Sequence, residues 1–164
     1  MRIVGIDAST NRTGMSLFID EEYAGHVLID LHHIKNTDER IAQMMHEIKA
    51  HLYMFKPDLI VMEECLMTTN IKTVKLLSYL AGAIISWAAD NKVEFKFQLP
   101  SEWRKRIGLA QGPKKKREEL KQEAIDLVKK KFGIDATDDE SEAILLGYSM
   151  FYKEEKVEEI DIEI

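Results

Sequence analysis

The chain has 164 residues, 45% of them apolar and 32% charged, with a formal net charge of −6 and a single cysteine. That length suits one domain with a full core, and that balance excludes a disordered chain or a disulfide-stapled scaffold. No secretory leader or membrane span is expected, because Asp7 interrupts the short apolar start and the longest apolar run, Leu76 to Ala89, is broken by Ser78, Tyr79 and Ser86 and is too short to cross a bilayer.

Taken in order, Ile3, Val4 and Ile6 read as a short buried strand with Asp7 at its end. An unpaired carboxylate there is costly, so Asp7 calls for a hydrogen bond, a counter-charge or a metal. Ser9, Thr10 and Asn11 make a turn, and Met15, Leu17 and Ile19 alternate into a second strand. Asp20-Glu21-Glu22 turns the chain into a third strand, Tyr23 to Leu31. His32 and His33 are read as pointing to opposite strand faces, and His46 and His51 lack ligand spacing, so zinc is not expected.

Thr37 is read as the cap of a helix carrying Ile41, Met44, Met45, Ile48 and Leu52 to about Phe55, ended by Pro57-Asp58. Leu59 to Met62 is a continuous apolar run, as in a strand covered on both faces, and Glu63-Glu64 ends it. Ile71 to Ala89 is the strongest helix, apolar nearly all round. A fifth strand spans Val93 to Leu99, and Pro100 and Ser101 open a short helix through Trp103 and Ile107. After the loop Gly108 to Pro113, Lys114 to Phe132 reads as an amphipathic helix capped by Gly133. Thr137-Asp138-Asp139-Glu140 has the form of a capping box for a last helix with a small apolar face, Ala143, Ile144, Leu146 and Gly147. One domain is expected over 1–152, followed by a charged tail at 153–164. Three strands, then alternating helices and strands, predict an α/β fold: a five-stranded mixed sheet flanked by helices.

Acids gather at element ends. If the first and fourth strands are parallel neighbours, Asp7 and Glu63 share a sheet edge. Asp139 and Glu142, three apart, share a helix face that could be laid across that edge. Four carboxylates suit a hard cation such as Mg²⁺ or Mn²⁺, and a pair of ions can clamp a phosphodiester. Each cluster also has a plainer reading as a turn acid, a solvated strand end or a helix-start acid. Glu64 rivals Glu63, because a one-residue shift turns the side chain to the other face. Between Arg104 and Lys131 eleven Lys and Arg stand against four acids, +7 locally, which leaves −13 elsewhere. Such a patch suits a polyanion. Lys114 to Arg117 at a helix start opposes the helix dipole, and phosphate would offset that cost. Cys65 is read as a buried small apolar group in a protein of a reducing cytosol.

Gly5-Ile6-Asp7-Ala8-Ser9 with Thr13-Gly14, Leu59 to Glu64, and Asp139-Glu140-Ser141-Glu142-Ala143-Ile144 together resemble three motifs of RuvC-type Holliday junction resolvases, particularly the phage-encoded branch. Pro100-Ser101-x-Trp103-Arg104 and the Lys-rich segment add to the likeness, which covers about residues 2 to 150. The chain departs from the bacterial pattern at Ala8, where Pro is common, and at Glu142, where Asp is common. The resemblance implies an RNase H-like fold and a homodimeric, metal-dependent endonuclease that nicks four-way DNA junctions in recombination, repair or phage DNA processing. It implies Asp7, Glu63, Asp139 and Glu142 as catalytic ligands of Mg²⁺ or Mn²⁺, two ions per site. It further implies that Arg104, Lys105, Lys114, Lys115, Lys116 and Arg117 hold flanking phosphates. Asn70, Lys72 and Lys75 could reach the junction centre, and the helix Ile71 to Ala89 is the candidate dimer interface. Three other readings stay open: a nuclease for flaps or forks, a non-catalytic junction- or RNA-binding module, and a sugar-kinase-like ATPase, for whose second half the chain has no room.

Overall fold

A computed structural model describes residues 1–65, 70–109 and 115–153. Lys114, and the tail beyond residue 153, lie outside the described residues. Three strands open the chain: β1 (Arg2–Asp7), β2 (Arg12–Ile19) and β3 (Glu22–Asp30). Then come α1 (Thr37–Phe55), β4 (Leu59–Glu63), α2 (Ile71–Asp90), β5 (Glu94–Gln98), α3 (Pro100–Arg106), α4 (Arg117–Phe132) and α5 (Asp138–Ser149). The sheet order is β3-β2-β1-β4-β5. β1 pairs antiparallel with β2 and parallel with β4, with Ile3 opposite Leu59 and Ile6 opposite Met62. The expected neighbourhood of the first and fourth strands is therefore the observed one, and Asp7 and Glu63 end adjacent parallel strands.

Strand alternation divides the core in two. Val4, Ile6, Met15, Leu17, Ile60 and Met62 face α1 and α2, packing on Met44, Ile48, Leu52, Leu80 and Ile84. Ile3, Phe18, Leu59 and Val61 face the other way, onto Trp103, Ala124, Val128, Ile144 and Leu145 of α3, α4 and α5. Phe18 is the centre of this second layer, with edge-on contacts to Tyr23, Phe132 and Phe151.

Helix α5 lies directly on β1 and β2 because the strands present almost no side chain beneath it. A Cβ on Gly5 would stand 2.4 Å from the Ala143 carbonyl oxygen, and one on Gly14 would stand 2.2 Å from that of Asp139. Ser16, opposite Gly5 in the ladder, donates its hydroxyl to the Ala143 carbonyl at 2.8 Å. The expected capping box is present: Thr137 Oγ1 accepts from the Glu140 N–H, and Glu140 Oε2 accepts from the Thr137 N–H at 2.8 Å.

Several local expectations are corrected. Asn36, not Thr37, caps α1, its side chain accepting from the Glu39 N–H at 3.0 Å. β3 ends at Asp30, so His32 and His33 lie beyond the strand, and the His32 ring bonds Asp30 at 2.5 Å. α4 begins at Arg117, three residues later than expected, with Lys116 as its cap and Glu119 Oε2 accepting the Lys116 N–H at 2.9 Å. α2 is 20 residues long and, by length and composition, sufficient to cross a bilayer, contrary to the expectation from its polar interruptions. In this fold its Leu80, Ile84, Trp87 and Ala88 are buried against the sheet. Leu76, Leu77 and Ala81 pack beside them, while part of its apolar surface is left uncovered: Ile71 is 81% exposed, and Tyr79 and Ile85 are also exposed.

Candidate active site

One open cleft of about 770 Å³ lies at the C-terminal ends of β1 and β4. Asp7, Glu63, Asp139 and Glu142 all line it, as do Ser9, Thr10 and Asn11 of the β1–β2 turn. Alternation decides which acids enter. Ile3, Gly5 and Asp7 share the sheet face beneath α5, and so do Leu59, Val61 and Glu63. Glu64 belongs to the opposite alternation and is exposed at the cleft mouth, its N–H bonded to the Gln98 carbonyl at 2.9 Å. The geometry thus favours Glu63. Asp139 and Glu142 come from the first turns of α5, whose start lies over Gly14, the ladder partner of Asp7.

The crowding has an electrostatic signature. Burial pushes the Asp7 carboxyl well above the usual carboxylate range, and the carboxylates of Glu142, Glu63 and Asp139 push it further. Glu63 is raised by burial, partly offset by the Trp103 indole, whose Nε1–H donates to Glu63 Oε2 at 2.8 Å. Asp139 is raised by burial and by neighbouring Asp138. Mutually repelling carboxylates around one cleft are relieved by a cation, and an all-oxygen donor set suits Mg²⁺ or Mn²⁺. The residues present therefore fit such an ion in chemistry. Among the described residues, however, no three ligating groups converge on one point. Two of the four acids are engaged by other groups: Trp103 bonds Glu63, and Arg104 Nη2 is ion-paired with Glu142 Oε1.

The basic residues divide. Arg117 lines the cleft together with Lys121, a residue the sequence reading did not single out. The signal was its spacing, four positions after Arg117 and hence on the same helix face. Lys121 Nζ pairs with Asp138 Oδ2. Lys115 and Lys116 are exposed just before α4, Lys115 within 2.5 Å of Glu123. Lys72 and Lys75 are exposed on the first turns of α2, which Asn70 caps by accepting from the Lys72 and Thr73 N–H groups. Lys105 lies with Glu102, Arg106 and Tyr152 around a second, shallower depression. Arg104, expected to hold a flanking phosphate, is only 5% exposed. Cys65 is partly exposed and lines the cleft, which corrects its reading as a buried apolar group, and burial together with Glu63 raises its thiol pKa.

The family model described as crossover junction endodeoxyribonuclease RuvC matches residues 3–145. The crossover junction endodeoxyribonuclease RuvC of Mycobacterium ulcerans is 25% identical over 107 residues, 62% of this chain and 58% of that protein, so the match spans little more than half of the mycobacterial relative. That of Dictyoglomus thermophilum is 25% identical over 160 residues, 94% of this chain and 99% of that protein. Among solved structures, T. thermophilus RuvC in complex with Holliday junction substrate superposes with a TM-score of 0.71 at 14% identity, covering 91% of each chain, which shows a shared fold.

Proposed function

The chain belongs to the RuvC family of crossover junction endodeoxyribonucleases, and we propose that it is a divalent-cation-dependent endodeoxyribonuclease that resolves four-way DNA junctions by paired nicks. The observation that carries this reading is the meeting of Asp7, Glu63, Asp139 and Glu142 around one cleft, where burial first and the neighbouring carboxylates second hold Asp7 well above the usual carboxylate range.

The four acids would hold Mg²⁺ or Mn²⁺, two ions per site. A divalent cation there supplies activation of the attacking water and neutralisation of charge at the phosphate. The chain's own residues do the rest. Asp7, buried in the same cleft as the other three acids, would be the ligand common to them. Trp103 fixes the Glu63 carboxylate through its indole N–H. Arg117 and Lys121 offer cations at the cleft wall for the DNA backbone, with Lys115, Lys116, Lys72, Lys75 and Lys105 further out. Lys114 is proposed with them from sequence alone. Such contacts orient the duplex arms without reading sequence. The exposed face of α2, with Ile71, Tyr79 and Ile85, is the surface we assign to a homodimer. Two-fold symmetry would present two clefts to the two strands of a junction. A cytosolic site of action accords with the single thiol.

The test is a substrate panel. With Mg²⁺ or Mn²⁺ the purified chain should cut a synthetic four-way junction at symmetric positions and leave linear duplex intact. Faster cutting of flaps or forks than of junctions would move the substrate to other branched DNA. Binding without cutting in either ion would reduce the protein to a junction-binding module.

A further inference from the structure

The cleft, the surface cations, the α2 face and Trp103 are used by the reading above, but Arg104, the other buried residue of α3, is not. Arg104 is 5% exposed on a seven-residue helix. One end of its fork, Nη2, pairs with Glu142 Oε1. The other, Nη1, is buried with no hydrogen-bond partner among the described residues. The guanidinium lies 4.6 Å over the Trp103 ring, whose own N–H holds Glu63. The helix itself is pinned: Arg106 Nη1 donates to the Ser149 carbonyl at 3.3 Å, and the Leu109 N–H donates to the Arg104 carbonyl at 2.9 Å.

A buried donor without a partner is costly, and a guanidinium fork matches an oxyanion that can take both of its ends. Glu142 takes one. Glu142 also cannot serve Arg104 and a divalent cation at full strength together, because each draws on the same negative charge. Arg104 does not line the cleft but its partner Glu142 does, so a DNA phosphate arriving beside Glu142 would offer the fork a second oxyanion once Glu142 swings away.

We propose that Arg104 is a positioning residue that holds Glu142 back from the cation site, and that a backbone phosphate of bound DNA takes the Arg104 fork and releases Glu142, so that cation filling on the Glu142 side is coupled to DNA binding. The proposal rests on the four acids being the cation site of a DNA-cutting enzyme. By linkage the coupling runs both ways: DNA tightens the cation and the cation tightens DNA.

The test measures Mn²⁺ binding to the full chain by titration calorimetry, without DNA and with a saturating four-way junction whose phosphorothioate core resists cutting. Without DNA, Arg104→Gln should bind Mn²⁺ about fivefold tighter than wild type, or take up a further ion. The junction should tighten Mn²⁺ by about fivefold or more in wild type and much less in the variant. Unchanged or weaker Mn²⁺ binding by DNA-free Arg104→Gln, or equal tightening by the junction in both proteins, would overturn the proposal. If Arg104→Gln loses its native circular dichroism spectrum, Arg104→Lys, which keeps the charge and removes the fork, decides instead. A clear reduction of the junction-linked tightening supports the coupling, and its persistence at wild-type size removes it. A wild type that binds junctions without coupling defeats this inference alone, whereas one that binds no branched DNA defeats the functional reading beneath it.

Discussion

The carbonyl oxygen of Asp139 lies 2.2 Å from where a Cβ on Gly14 would stand, and Gly14 is the ladder partner of Asp7. The missing side chain brings the start of α5 down onto the β1–β2 hairpin and so sets Asp139 beside Asp7. Gly14→Ala must lift that turn or displace the strand. It should cost about 1–3 kcal/mol of stability, a fall of several degrees in thermal midpoint. Cleavage should fall more than the stability loss explains, because the acids are moved apart. Thermal unfolding and junction cutting on the same preparation check both.

Asp7 is destabilising for the protein without a cation. Its folded pKa is raised, so the folded state binds a proton more tightly than the unfolded state does. Stability from this group is full below the unfolded carboxylate range and is lost as pH rises through the higher folded value. Asp7→Asn cannot lose it. In EDTA the variant should therefore melt higher than wild type at neutral pH, with the gap closing towards pH 4. A gain of about 1 kcal/mol corresponds to roughly 2–4 °C for a chain of this size. Mg²⁺ should raise the wild-type midpoint and leave the variant nearly unmoved. Differential scanning calorimetry at two pH values, with and without Mg²⁺, checks this.

Trp103 is buried completely, and its N–H lowers the pKa of Glu63. Trp103→Phe keeps most of the apolar contact and removes the donor, at a stability cost of about 1–3 kcal/mol if Glu63 is left unpaired. Glu63 should then titrate at higher pH. The acidic limb of Mg²⁺ binding should move up in pH, while binding well above that limb stays near the wild-type value.

Arg117 and Lys121 line the same cleft as the acids. Replacing both with Gln should weaken junction binding uniformly across sequences and reduce the slope of log affinity against log salt by about two. Anisotropy titrations over a range of salt concentrations report this. An unchanged slope would remove both cations from the DNA path.

How much of this was legible in the sequence depends on what each feature needs. Element types followed from local patterns: the apolar run Leu59 to Met62 is buried on both faces, and the Thr137–Glu140 box caps α5. The alternation that separates Glu63 from Glu64 was legible only once the strand register was known, since a single-residue slip exchanges them. The burial of Arg104 left no sequence signal. It depends on α3 lying against α5, a long-range contact, and a basic residue beside Lys105 and Arg106 reads as surface charge. The cap of α1 was misplaced by one residue because Asn36 and Thr37 are both good caps and only backbone geometry chooses between them.

The central claim is that Asp7 is the shared centre of a cation site that cuts junction DNA. The most direct measurement is single-turnover cutting of a synthetic four-way junction in Mg²⁺ by wild type and Asp7→Asn, with junction affinity measured in parallel. Wild type should give paired nicks, and Asp7→Asn should lose at least a thousandfold in rate, on the order of 4 kcal/mol in the barrier, with junction affinity within a few-fold of wild type. Cutting by Asp7→Asn at a rate near that of wild type would contradict the claim.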